Sequence, residues 1–428
     1  MSIAKTISCM FLTLLVCIAC SPSDYKFRGA AVDTVTEDGK PLYELSVNNP
    51  SLSPDGRYMA FDFHEFATIN KRRIKTPISI GIYDIEKQSI ELLDPPYDPN
   101  VKVPHPLAKQ WHSPSFDHSG QKITMVIRCG DPACPNETYG THIGVLDLSS
   151  KSFERVTYAR QEVSYWFVDF RTMQSRSRSR VGWSQSVIRG FPVFSPDGRR
   201  IYYVSNGGAK MSSIFWQQFN ADYWLNYIDL DQPSGAYPSS DNVLMNEGHG
   251  VVLFKGYGNV ALIGGDRLIF SGIDALGPKM NEYQANNVSA FFYNLKTDEL
   301  SVAFDNNNIP KDTRYPNKRQ YSWAQSISAS YDGRRIAVIR GYGNTVSLWE
   351  GGQFRDVVTA EALGVEAIQY VAISGDGSRL VVVPSHTFPE TKIDSFWMVD
   401  LDSGKMESLP LRSLLRKTID SEKPDTKV

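Results

Sequence analysis

Three arginines, Arg176, Arg178 and Arg180, alternate with serine. Guanidinium groups so placed can bind carboxylate or phosphate through paired hydrogen bonds, although charge runs are commonly solvated faces. Five tryptophans, Trp111, Trp166, Trp183, Trp216 and Trp323, fall in segments that read as connections rather than strand cores. Trp and Arg dominate binding hot spots, so these positions form a candidate interaction rim; the competing reading buries them in small cores within the insertions. His112 follows Trp111 at the end of a Pro-rich stretch over 94–113. One pentapeptide occurs twice, as Lys255-Gly256-Tyr257-Gly258-Asn259 and as Arg340-Gly341-Tyr342-Gly343-Asn344, setting Tyr257 and Tyr342 between glycines beside a cation. The plainer reading makes each a convenient turn.

Signals for catalysis are weaker. Asp62, His64 and Glu65 cluster, and a strand would put Asp62 and His64 on one face, but no third ligand stands at a defined spacing. The remaining histidines are scattered. Gly182-Trp183-Ser184-Gln185-Ser186 approaches the G-x-S-x-G nucleophile elbow, lacks its last glycine, and is followed by no α/β-hydrolase pattern. Binding without a metal or cofactor is therefore expected. The formal charge of −2 gives no reason to expect a nucleic-acid partner.

Residues 1–19 read as a signal peptide. Lys5 supplies the positive end, and the apolar run from Ile7 to Ala19 is too short to span a bilayer. Val16-Cys17-Ile18-Ala19-Cys20 resembles a bacterial lipobox, which implies acylation of Cys20, with cleavage at Ala19 by an ordinary signal peptidase as the rival. Ser21 after the cysteine then implies the outer membrane. Cys9 and Cys17 leave with the signal, so Cys129 and Cys134 remain, flanking Gly130-Asp131-Pro132-Ala133. An exported chain permits a disulfide there; the rival Cys-x₄-Cys metal half-site has no second pair to complete it.

What positions these residues is a repeat. Ser53-Pro54-Asp55-Gly56 precedes Arg57-Tyr58-Met59-Ala60-Phe61, and Ser195-Pro196-Asp197-Gly198 precedes Arg199-Arg200-Ile201-Tyr202-Tyr203. Looser copies end at Gly120, Gly333 and Gly377, and a degraded one at Gly265. Pro presets φ, Asp bonds back to the backbone, Gly accepts positive φ, and a β-rich run follows. Most copies are followed by an apolar-Asp-apolar triplet: Tyr83-Asp84-Ile85, Leu146-Asp147-Leu148, Ile228-Asp229-Leu230, Tyr293-Asn294-Leu295 and Val399-Asp400-Leu401. The copy at Gly333 has Leu348-Trp349-Glu350 instead. The shortest interval, Gly333 to Gly377, matches the ~40–45 residues of a four-stranded propeller blade.

Together the two motifs resemble the WD-like repeat of the TolB family of β-propellers, shared with the propellers of prolyl oligopeptidases. The resemblance covers roughly residues 45 to 410 and implies an all-β fold, a six-bladed propeller of four-stranded antiparallel blades. It speaks for fold and not for function. The hydrolase domain of the peptidases and the N-terminal α/β domain of TolB have no counterpart in the pattern. The organisation expected is a lipoprotein signal over 1–19, a tether with a hairpin that could close the ring over 20–44, the propeller over 45–410, and a polar tail over 411–428, disordered after Arg416.

In such a blade, strands run a to d from the axis outward. The Asp-Gly turns (a–b) and triplet turns (c–d) share one end of the ring, here called the turn face; the b–c and d–a links share the other, the loop face. The long insertions, at 64–77, 94–113, 157–190, 275–288 and 305–325, fall on the loop face; loops of that length are usually functional or disordered, and their concentration on one face argues for function. The expectation is a lipid-anchored envelope protein, on the periplasmic side of an outer membrane, that binds a protein or envelope polymer through its loop face. The alternatives are a propeller enzyme acting on polysaccharide, as lyases of similar repeat do, and a structural subunit of an envelope complex.

Overall fold

The computed structural model describes residues 44–69, 72–75, 78–93, 110–128, 141–157, 163–169, 174–180, 189–205, 224–231, 242–245, 251–253, 260–274, 288–304, 326–341, 343–385 and 396–421. The turn at Ser53 shows why the repeat makes hairpins. Ser53 Oγ donates to Asp55 Oδ1 at 2.6 Å and accepts the Tyr58 amide at 2.9 Å. Asp55 Oδ1 accepts the Arg57 amide at 3.0 Å, and Gly56, at φ 67°, donates to the Ser53 carbonyl at 2.9 Å. The same bonds recur around Ser195/Asp197, Ser330/Asp332 and Ser374/Asp376. At Gly120 the two side chains exchange places: Asp117 takes the serine's position and accepts the Lys122 amide, while Ser119 takes the aspartate's and accepts the Gln121 amide. All six turn glycines, including Gly265 of the degraded copy, have positive φ.

Each turn joins strands a and b of one sheet, and six sheets form the ring. Blade one uses Glu44–Leu52, Tyr58–Ile69, Ser79–Asp84 and Ser89–Leu93. Blade two uses Trp111–Phe116, Lys122–Arg128, Thr141–Asp147 and Phe153–Arg155. Blade three uses Arg189–Phe194, Arg200–Ser205, Trp224–Asp229 and Asn242–Met245. In blade four strand a is split into Val251–Leu253 and Val260–Ile263, both paired with Arg267–Asp274, followed by Val288–Asn294 and Glu299–Phe304. Blade five uses Ile327–Ala329, Arg335–Arg340, Thr345–Glu350 and Gln353–Thr359. Blade six uses Ile368–Ile373, Arg379–Pro384, Phe396–Asp400 and Met406–Leu409. The fold is thus an all-β six-bladed propeller.

The triplet aspartates hold the c–d turns. Asp147 Oδ1 accepts the amides of Ser149 and Ser150 and both hydroxyls, with the Ser150 amide foremost, which keeps its carboxyl well below the ordinary range. The residue after it, Leu148, donates its amide back to Gln121 at the start of strand b. Blade five departs from the expected triplet by one residue. Arg335 pairs with Glu350, so Glu350 stands at the aspartate position, and Gly351-Gly352, at φ 60° and 83°, make the turn by themselves.

Six clusters of buried apolar side chains fill the six seams between neighbouring blades. The seam between blades six and one differs from the others. Each described blade is built from one contiguous stretch of chain, and the segment before Glu44, which could close the ring, lies outside the described residues. A helix covers this seam. Leu411–Ser421 stands where a polar tail was expected, and Leu411, Leu415 and Ile419, at i, i+4 and i+8, are buried with Phe63 and Tyr83 of blade one and Phe396 and Met398 of blade six. Arg416 of this helix forms an ion pair with the buried Glu65 of blade one.

Among the described residues, two insertions carry structure of their own. Strand b of blade one runs on to Ile69 and pairs with Arg72–Lys75, so the first b–c insertion is largely a hairpin. Within 157–190, Val163–Asp169 pairs with Gln174–Arg180 in a two-stranded ribbon that joins no blade sheet.

Candidate binding site

Strand a is the free edge of each sheet, and six such edges face the ring axis. Unpaired amides there need partners. Serines of the neighbouring blade supply several: Ser326 Oγ accepts the Val371 amide at 3.1 Å, and Ser328 Oγ accepts that of Ile373 at 3.0 Å. In blades one to three the edge is bent by a bulge at Asn49-Pro50, Ser113-Pro114 and Phe191-Pro192, where the residue before Pro takes φ 46°, 53° and 53°. Pro fits because this edge has no ladder bond to lose. Asp62 ties two bulges together, accepting Asn49 Nδ2 at 2.7 Å and the Ser113 amide at 2.9 Å.

The inner strands enclose an axial cavity of about 120 Å³, lined in each blade by the residue four before the turn glycine: Leu52, Phe116, Phe194, Ala261, Ala329 and Ile373. Its turn-face end is plugged. At the second position of the turn two copies carry a ring in place of the proline, His118 in blade two and Tyr331 in blade five, and both line the cavity. The rings lie parallel, with centroids 3.6 Å apart. Burial pushes the His118 pKa down, against the opposing effect of Asp117, and burial followed by Asp117 pushes the Tyr331 phenol far up, so both rings are neutral at pH 7. Turn-to-turn bonds lock this end: Gly264 to Tyr331, Tyr331 to Gly375 and Asp376 to Pro54. Arg335 reaches the Gly377 carbonyl at 2.8 Å, and Arg379 reaches that of Gly56 at 3.1 Å. The turn-face end of the axis is therefore closed.

The candidate residues fare differently. Trp111 is corrected: it opens strand a of blade two, is 2% exposed, and stacks on Phe153 at 4.8 Å in the seam between blades one and two. A Trp at the end of a Pro-rich connection reads as loop, but a register with Ile127 makes it core. His112 follows it in the same strand, its Nδ1 3.2 Å from Ser113 Oγ. Trp166, Arg176, Arg178 and Arg180 lie in the ribbon. The second pentapeptide is a b–c link on the loop face, as expected, but Arg340 is no free cation: it is buried, bonds Ser347 Oγ at 2.6 Å and pairs with Asp356. Trp183, Trp216, Tyr257, Trp323 and Tyr342, with Cys20, Cys129 and Cys134, lie outside the described residues.

Asp62, His64 and Glu65 serve three different contacts. Asp62 holds the bulges, His64 meets Phe66 edge-on at 4.6 Å, and Glu65 pairs with Arg416. Among the described residues no group of three His, Cys, Asp or Glu side chains is placed to hold a metal ion. Sequence reading missed the plug and the proline bulges; the signal for the latter is a proline six residues before the turn glycine in three copies.

No protein-family model matches the chain, and no curated protein matches it. Among solved structures it is similar to TolB from Acinetobacter baumannii, at 12% identity over 89% of this chain and 84% of the other, with a TM-score of 0.44. It is also similar to the β-propeller domain of the Trilobed protease from Pyrococcus furiosus, at 11% identity over 85% and 95%, with a TM-score of 0.42. A chain of the nidogen/laminin complex is similar at 9% identity over 86% and 93%, with a TM-score of 0.41.

Proposed function

We propose that this propeller is a binding module of the bacterial envelope, held to a membrane by lipid on Cys20, that captures a protein or an envelope polymer at its loop face. The observation that supports this most is the asymmetry of the ring. At the turn face the described connections are short, hydrogen-bonded to one another, and closed over the axis by His118 and Tyr331. The b–c and d–a connections, which hold Trp183, Trp216, Trp323 and the ribbon, leave from the opposite end, whereas Tyr257 falls between the two halves of blade four's strand a. Aromatic and arginine side chains there would supply contact area and paired hydrogen bonds together. The first test is crosslinking in intact cells through a photoreactive group at position 183 or 216, followed by identification of what is bound. A defined partner at these positions and none from a group at position 296 fits the proposal; no crosslinked species from either loop position contradicts it. Anchoring is tested separately by Cys20→Ser, which should release the protein from membranes or leave the precursor uncut.

A further inference from the structure

The ribbon between blades two and three pairs an apolar strand with a basic one. Its register sets Arg176 across from Phe167, Arg178 across from Tyr165 and Arg180 across from Val163. Cross-strand partners share a face, as do alternate residues of one strand, so one face of the ribbon carries three arginine positions interleaved with two aromatics and a valine. The same face ends in Asp169, which pairs with Gln174 at the turn end and stands diagonal to Arg176; no acidic residue of the ribbon stands directly opposite any of the three arginines, and Arg178 and Arg180 have none diagonal to them either. The other face carries Ser175, Ser177 and Ser179 with Ser164, Trp166 and Val168. Two-stranded ribbons are marginal in water and are held by what they pack against.

Like charges at alternate positions of a strand, about 7 Å apart, repel one another, and an anionic partner offsets that cost. A soluble polyanion would use the arginines and leave Phe167, Tyr165 and Val163 in water. The boundary between lipid headgroups and acyl chains presents phosphates and apolar surface in one layer, which is where arginine and aromatic side chains are jointly favoured. We propose that the Arg176/Arg178/Arg180 face of this ribbon lies on an anionic lipid surface, a membrane contact additional to any acyl anchor. It refines the loop-face reading above and rests on it only for the end of the ring from which the ribbon leaves. Trp166 holds a register position on the other face of the ribbon.

The test is flotation of the full chain with vesicles of phosphatidylcholine alone and of phosphatidylcholine mixed with phosphatidylglycerol, at low and high salt. The quantity read is the ratio of binding to the two vesicle types, from which an acyl anchor cancels. Arg176, Arg178 and Arg180 changed together to glutamine should lower that ratio by up to about a hundredfold, at roughly fivefold per charge. Changed together to lysine they should keep most of it, and high salt should erase the difference. A ratio near one for the unaltered chain, or a ratio unmoved by the glutamine changes, overturns the proposal. Equal competition by soluble polyphosphate, with no preference for vesicles bearing apolar surface, assigns the face to a free polyanion and overturns it too. Crosslinking from position 183 in the glutamine variant reads the loop-face reading independently: capture retained with the vesicle ratio lost keeps both.

Discussion

The imidazole of His118 lies flat on the phenol ring of Tyr331, with centroids 3.6 Å apart and planes within 2°, although the two belong to blades on opposite sides of the ring. Both occupy the position that is proline in Ser53-Pro54-Asp55-Gly56. Variation in the repeat is thus put to use: in two of the four turns that do without proline, a ring stands at this position, and the two rings stack on one another. Gly375 holds the same position in blade six, and a Cβ built on it would stand 2.4 Å from the Tyr331 ring.

Gly375→Ala should therefore force Tyr331 aside. The expected destabilisation is about 1–3 kcal/mol, the usual cost of overpacking. In a Tyr331→Ala background the same change should cost far less, because the obstructing ring is gone. Thermal or denaturant unfolding of the four proteins of this cycle checks it; additive costs would show that the ring and the glycine do not compete for space.

The plug also sets a pH dependence. Burial lowers the His118 pKa in the folded chain relative to the ordinary ~6.5. The unfolded chain then binds the proton more readily, so this contribution to stability is present above pH ~6.5 and is lost as pH falls through the range between the unfolded and folded values. Comparing unfolding midpoints of the unaltered protein and His118→Phe across pH 7 to 5 should show the steeper loss in the unaltered protein. Parallel slopes would remove His118 from the account.

Closure of the ring depends on the last helix. Leu415 is fully buried against blades six and one. Leu415→Ala should cost about 2–5 kcal/mol. Hydrogen exchange should quicken first in the strands of blades one and six, since that seam alone joins blades that are not consecutive in the chain. Uniform quickening around the ring would mean that the helix stabilises the whole without clasping the seam.

The ring itself was legible because its turn chemistry is local: a serine, an aspartate and a glycine at fixed spacing make the same bonds wherever they occur. Even the degraded copy at Gly265 keeps its positive φ and its blade. What was not legible depends on partners distant in sequence. Nothing local in His118 or Tyr331 says that they meet across the axis. Trp111 reads as a loop residue until its register with Ile127 is known. The helix is a different kind of miss. Leu411, Leu415 and Ile419 recur at helical spacing after Pro410, whose carbonyl accepts the Leu414 amide, but the polar composition around them obscured the pattern. The arginine-serine alternation likewise has the period of a strand, which the run of charge disguised.

The most direct measurement of the central claim compares the two faces in one capture assay. Trp166→Ala and Trp183→Ala change the loop face; Lys151→Ala and Lys296→Ala change the turn face, where they remove only exposed ion pairs with Glu91 and Asp266. Pull-down of the crosslinked partner with each variant, checked for an unaltered unfolding midpoint, gives the answer. The account predicts that a loop-face tryptophan change weakens capture by about thirtyfold, the scale of a hot-spot loss of ~2 kcal/mol, while the turn-face changes leave it within about twofold. Capture that survives both tryptophan changes and fails with the lysine changes would place the binding face at the other end of the ring.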